Sequence, residues 1–261
     1  MEVSATVSRY QHEELPNIKI SKWRLVGPGL AALIICLAYR MRLSRVRICE
    51  FLGDWLGIEI AVGTIDNTLH ESGAAVMPVE KELIQEIVNG ALLHVDETSW
   101  KEHSTLLWLW VFSTDRVVAY WIATRSAELM DNLLESGLSG WLMSDGYCVY
   151  RRYSKRLRCW AHLLRKAEGL QQSMNKDAQL FGEQTLDLLT ALIKAIRLAR
   201  DKPPDKPLSE QFYDRLQLYQ ALCEQMKSCD HKKASALAKE MLNDWQAIFQ
   251  ILDQPDHPLT N

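Results

Sequence analysis

Two aspartates, Asp96 and Asp145, are the residues of this sequence best placed to do chemistry. Each follows a short apolar run, Ala91-Leu92-Leu93-His94-Val95 in one case and Trp141-Leu142-Met143-Ser144 in the other. Each is therefore expected at the carboxyl end of a β-strand, and in an open sheet such ends converge on one crevice when the strands are neighbours. Two carboxylates so close repel unless a cation lies between them, and Mg²⁺, a hard ion that takes oxygen ligands, suits the place. A pair bridged in this way can hold one or two metal ions that activate a water or a 3′-hydroxyl in phosphodiester chemistry. The competing reading is structural, with Asp96 as a cap and Asp145-Gly146 as an ordinary turn, because Asp-Gly is a common turn dipeptide.

Other side chains carry weaker chemical signals. Cys159 and His162 are three apart on an expected helix and share a face, as half of a zinc site would, but no second pair with ligand spacing follows. Glu97 adjoins Asp96 yet belongs to the opposite strand face, which makes it a supporting or solvent-facing residue. Between Arg151 and Lys166 stand Arg151, Arg152, Lys155, Arg156, Arg158, Arg165 and Lys166 with no acid among them. A run like that just after Asp145 is well placed for phosphates, and Arg151, Arg152, Arg165 and Lys166 are the candidates; a solvated helix face is the plainer alternative. A second basic stretch, Lys22, Arg24, Arg40, Arg42, Arg45 and Arg47, meets only Glu50 and Asp54. Trp108, Trp110, Trp121 and Trp141 lie among aliphatics in strand patterns and are expected in the core.

The elements that must position these groups follow from periodicity. A helix is expected over Leu30 to Met41, and Ser44 caps another over Arg45 to Leu56 that Gly57 stops. A short turn then leads to a helix beginning near Val62. That outline resembles a helix-turn-helix, with Thr64 and Asn67 on the second helix and Arg45 and Arg47 on the first as DNA-contacting candidates. Leu106 to Phe112 and Val117 to Ala123 read as strands of a hairpin, followed by a helix from Ser126 to about Glu135. The strand Trp141 to Ser144 follows, then a helix from about Leu157 through Leu170. The expected fold class is α/β: a ribonuclease-H-like mixed sheet with an antiparallel start. Beyond Ala167 the pattern is helical, over Leu180 to Arg200, Leu208 to Ser228 and His231 to Leu252, with Pro203, Pro204 and Pro207 in the first break. The expected organisation is a flexible arm over 1–20, a helix-turn-helix-like region over 21–88, a partial catalytic core over 89–170, a helical insertion over 171–252 and a loop over 253–261.

Composition narrows the class further. The 261 residues are 48% hydrophobic and 24% charged, with a net charge of −3, which excludes a disordered or collagen-like chain. Six scattered cysteines without a C-x-x-C pair fit reduced thiols and an expected cytoplasmic, nucleoid-associated location. The longest apolar run, Leu25 to Tyr39, is interrupted by Gly27-Pro28-Gly29 and falls short of the roughly 20 residues that a spanning helix needs, so no membrane partner is expected.

Several motifs in register then bear on function. Leu93-His94-Val95-Asp96-Glu97-Thr98, Ser144-Asp145-Gly146-Tyr147 with Tyr150, and Cys159-Trp160-Ala161-His162 followed by Arg165-Lys166 resemble, in order and spacing, the transposases of the insertion sequence 66 family. The resemblance extends upstream to Gly63-Thr64-Ile65 and downstream to His257-Pro258-Leu259-Thr260-Asn261. It implies a DDE-type ribonuclease-H-like core, two Mg²⁺ or Mn²⁺ ions held by Asp96 and Asp145, and cut-and-join chemistry at the ends of a mobile DNA element. Glu97, Tyr147, Cys159 and His162 would lie near that site. Terminal inverted repeats and target DNA would be the partners, with a homo-oligomer and companion proteins of the element as further ones. The family's third carboxylate follows in an Asn-Asn-x-x-Glu segment, whose first asparagine is Asn261, and Glu210, Glu224 and Glu240 do not match it. A truncated and catalytically inactive transposase is therefore expected. The alternative is a non-catalytic DNA-binding or regulatory fragment, and an unrelated nuclease of RNA–DNA hybrids ranks below both.

Overall fold

The computed structural model describes residues 26–134 and 137–260, and two compact units divide the chain after Glu82. The expected arm over 1–20, together with Lys22, Arg24, Glu135 and Asn261, lies outside the described residues.

The first unit is helical. Helix α1 (Pro28–Ile35) starts with Pro at its first turn, where a missing N–H costs nothing, and runs on into a π-helical turn (Cys36–Arg40). In α2 (Arg45–Leu56) the Ser44 hydroxyl accepts the Arg47 N–H at 3.3 Å, and Gly57 ends the helix in the left-handed region at φ 63°. Both ends are where the sequence predicts them. Helix α3 (Val62–Asn89) is longer than expected and carries Pro78 inside it. Ile34, Leu37, Ile48, Leu52, Ile65 and Leu69 form the core of this unit at helical spacings.

The second unit is built on a five-stranded mixed sheet in the order β3-β2-β1-β4-β5. The strands are β1 (Leu92–Glu102), β2 (Thr105–Ser113), β3 (Val118–Ala123), β4 (Trp141–Ser144) and β5 (Arg156–Arg158). β1 pairs antiparallel with β2 and parallel with β4; β2 pairs antiparallel with β3, and β4 parallel with β5. The fold class is thus α/β with an antiparallel start, as expected.

Two features depart from the sequence reading. β1 does not end at Asp96 but continues to Glu102, because its outer half folds back on β2 through a tight turn at His103 and Ser104. His103 takes φ 51° there, and without the usual Asn-Gly or Asp-Gly pair the turn left no signal. β5 stands where the sequence predicts the start of a helix. Its single apolar residue, Leu157, lies between two arginines and shows no period, yet all three residues are buried.

Alternation along β1 sorts the two faces. Leu93 and Val95 pack with Trp110, Phe112, Leu142 and Tyr150 and with Met130 of α4 (Ala127–Leu133). On the other face Met143 and Leu157 pack with Trp160, Leu163 and Ala167 of α5 (Trp160–Gln171). The helices that follow are α6 (Lys176–Asp201), α7 (Leu208–Gln211), α8 (Tyr213–Met226), α9 (Lys232–Asn243) and α10 (Trp245–Phe249). The expected Leu208 to Ser228 helix is interrupted at Phe212, and the His231 to Leu252 helix breaks at Asp244, a buried residue drawn into contacts with arginines.

Candidate active site

The parallel pairing of β1 with β4 places the two aspartates. Its last pair is His94 with Met143, so continuing the register by two residues sets Asp96 level with Asp145 on neighbouring strands. Asp96 is accordingly not at a strand end but beyond the point where β4 stops and β1 goes on paired with β2. Asp145 Oδ1 accepts the Tyr147 N–H at 2.8 Å, and Asp96 Oδ1 accepts the Glu97 N–H at 3.0 Å. These bonds orient both carboxylates without adding charge.

His162 on α5 lies within the field of both. Burial lowers its pKa, while the negative charges of Asp96 and Asp145 pull it back up. The Cys159 N–H donates to the Ser144 carbonyl at 2.8 Å, which fastens the start of α5 to the end of β4. Cys159 itself is fully buried. Among the described residues no group of three or more His, Cys, Asp or Glu side chains is arranged to hold a metal ion, so Cys159 and His162 are not completed into a zinc site.

Glu97 differs from the solvent-facing alternative. Its side chain is 1% exposed, because its strand face is the one covered by Tyr150 and the segment after β3. Oε1 accepts Nε and Nη2 of Arg125 at 2.9 and 2.7 Å, and Oε2 accepts the Tyr150 hydroxyl at 2.6 Å. Burial raises the Glu97 pKa, opposed by those hydrogen bonds. The Arg125 guanidinium lies 4.4 Å from the Trp108 ring centroid and 4.1 Å from that of Tyr147, and its Nη2 is 3.9 Å from Asp145 Oδ2. Trp108 thus packs partly buried against the core and also carries the Arg125 guanidinium, whereas Trp110 is fully buried as expected. Arg125 escaped sequence reasoning because a lone arginine after a strand has no period or motif to mark it.

Five of the seven cations in the basic run after Asp145 are paired, although they share only three carboxylates. Arg151 and Arg156 meet Asp244 at 3.0 and 2.7 Å, Arg158 and Lys166 meet Glu240 at 2.5 Å each, and Arg152 meets Asp131 at 2.5 Å. These acids lie far away in sequence, which is why the run looked unbalanced. Arg165 bonds only to the Ala161 carbonyl and pairs with no acid among the described residues. Gly146 is confined by the same network: a Cβ there would lie 2.5 Å from Glu240 Oε1 and 2.6 Å from Arg158 Nη1. In the first unit Arg45 pairs with Asp66 and Arg47 with Glu50; Asn67 is exposed, and Thr64 is half-buried. A cavity of about 550 Å³ lined by His94, Asp96, Ser113, Thr114 and Asp115 opens on the Asp96 face of the sheet.

The motifs that meet at this edge also lie within one family match. Residues 24–261 match the model of the Transposase IS66 family. The chain belongs to the IS66 transposase family. No curated protein matches it. The family span takes in both aspartates, the Cys159 to His162 segment and the whole helical part after it, and membership makes DNA the expected class of partner. Among the described residues of this IS66-family chain, no helix is long and apolar enough to cross a membrane.

Proposed function

We propose that this chain acts as a DDE-type transposase, cutting and joining phosphodiester bonds at the terminal repeats of a mobile DNA element. The observation that carries the reading is that Asp96 and Asp145 each follow by two residues the last pair, His94 with Met143, of two adjacent parallel strands, in a chain of the IS66 family. The strand order and its antiparallel start support a ribonuclease-H-like core. Two carboxylates on neighbouring strands fit Mg²⁺ or Mn²⁺, because such ions are held by one or two carboxylates and complete their shell with water and substrate phosphate. When bound, the metal supplies a more acidic water or 3′-hydroxyl and offsets charge on the leaving oxygen. The backbone N–H groups of Glu97 and Tyr147 hold the two carboxylates in place for that task. His162, half-buried, lies within the field of both, and Arg165 offers an unpaired cation for a phosphate.

One observation favours a second reading, DNA binding without cleavage. None of the three glutamates in the helical insertion joins the aspartates: Glu210 is held by Lys206, Glu224 by Lys227, and Glu240 by Arg158 and Lys166. A nicking assay on plasmid carrying candidate element ends, with Mg²⁺ or Mn²⁺, separates the two. Nicking abolished by Asp96→Asn and by Asp145→Asn supports the catalytic reading. Specific binding without nicking supports the second, and nicking that survives both substitutions overturns the assignment of the aspartates.

A further inference from the structure

We infer that Arg125 is a DNA phosphate-contacting residue, held ready beside Asp145 by a cage of Glu97, Trp108, Tyr147 and Tyr150. The inference rests on the proposal that DNA meets this edge of the sheet, and it adds a residue to which neither the motifs nor the basic runs point.

A guanidinium is a planar fork with five N–H donors, and it binds carboxylates and phosphates two bonds at a time. In Arg125 the Nε and Nη2 edge is spent on Glu97 Oε1. Two aromatic rings also lie against it, Trp108 at 4.4 Å and Tyr147 at 4.1 Å from ring centroid to Cζ. The backbone is fixed as well, since the Tyr147 hydroxyl donates to the Arg125 carbonyl at 2.8 Å. Glu97 in turn is fixed by Tyr150. What remains is Nη1, which has no hydrogen-bond partner among the described residues, on a side chain still 34% exposed.

A surface arginine that served only to balance Glu97 would need neither two aromatic walls nor a second anchor on its backbone. An arginine long and mobile in solution loses substantial side-chain entropy when a ligand fixes it. Here that loss is taken in folding, so a phosphate arriving at Nη1 meets a donor already in position. The nearness of Asp145 gives the arrangement a purpose. A phosphodiester brought to the aspartate pair carries negative charge towards Asp145, and Arg125, 3.9 Å from Oδ2, supplies the opposite charge at that spot.

The test is binding of a labelled duplex oligonucleotide to the full chain in EDTA, followed by fluorescence anisotropy across about 50 to 200 mM salt. Each phosphate contact contributes about 0.9 to the slope of log K against log salt. Arg125→Gln is expected to reduce the slope by about that amount and to weaken binding about tenfold at low salt. Arg125→Lys keeps the charge but not the fork, so it is expected to keep the parent slope and still bind several-fold more weakly; it carries the test if the Gln variant does not fold. A folded Arg125→Gln chain with the parent's slope and affinity overturns the inference while leaving DNA binding intact, and so does a folded Arg125→Lys chain with parent affinity. Failure of the parent itself to bind DNA overturns the functional proposal and this inference together.

Discussion

Arg158 Nη1 stands 3.3 Å from Asp244 Oδ2, and neither side chain is exposed to solvent. The contact joins the last strand of the sheet to the break between α9 and α10, and Arg156 converges on the other oxygen of the same carboxylate. Charges taken out of water are tolerated only when paired, so this cluster is a place where the fold has little freedom.

Removing its centre should be costly. Asp244→Ala leaves Arg156 and Arg158 buried without their shared partner, and a loss of about 3 to 5 kcal/mol is expected from urea denaturation. The exposed pair of Arg47 with Glu50 offers the contrast, with Glu50→Ala expected to shift stability by less than about 1 kcal/mol. Equal effects of the two substitutions would show that burial does not set the energetics here.

Tyr150→Phe tests the support under Glu97. The hydroxyl lost is the donor to Oε2 of a carboxylate that is 1% exposed, and the ring otherwise keeps its packing. Leaving a buried acceptor unsatisfied costs about 1 to 3 kcal/mol, so a lowered urea midpoint with unchanged slope is expected. An unaltered midpoint would mean that Glu97 finds another partner.

Stability should also depend on pH through His257, whose ring lies 5.2 Å from that of Trp141. Burial lowers its pKa below the ordinary value of 6.5, opposed by Asp256. As pH falls through 6.5 the unfolded chain takes up the proton before the folded one does, so this group withdraws stability as the solution is acidified. His257→Asn should therefore flatten the fall in melting temperature between pH 7 and about pH 5.5. A fall as steep in the variant as in the parent would remove His257 from the account. His94 and His162 are lowered by burial as well and act in the same direction.

Much of the local structure could be read from residue order alone. Ser44 and Gly57 bound α2, Trp141 to Ser144 forms β4, and the two hairpin strands pair around the loop at Thr114, because caps, turns and apolar periods are properties of a few adjacent residues. The prominence of Asp96 and Asp145 came from the same source, as residues after apolar runs in recognisable motifs, although β1 continues past Asp96 to Glu102. Long-range partnership was not legible. The length of β1 depended on a hairpin with no turn signature, and β5 was hidden because its arginines are buried by Glu240 and Asp244, more than 80 residues away. Arg125 acquired its cage, and most of the basic run its acidic partners, for one reason: a side chain's electrostatic surroundings are set by what the fold brings beside it, and sequence spacing says nothing about neighbours that arrive from elsewhere.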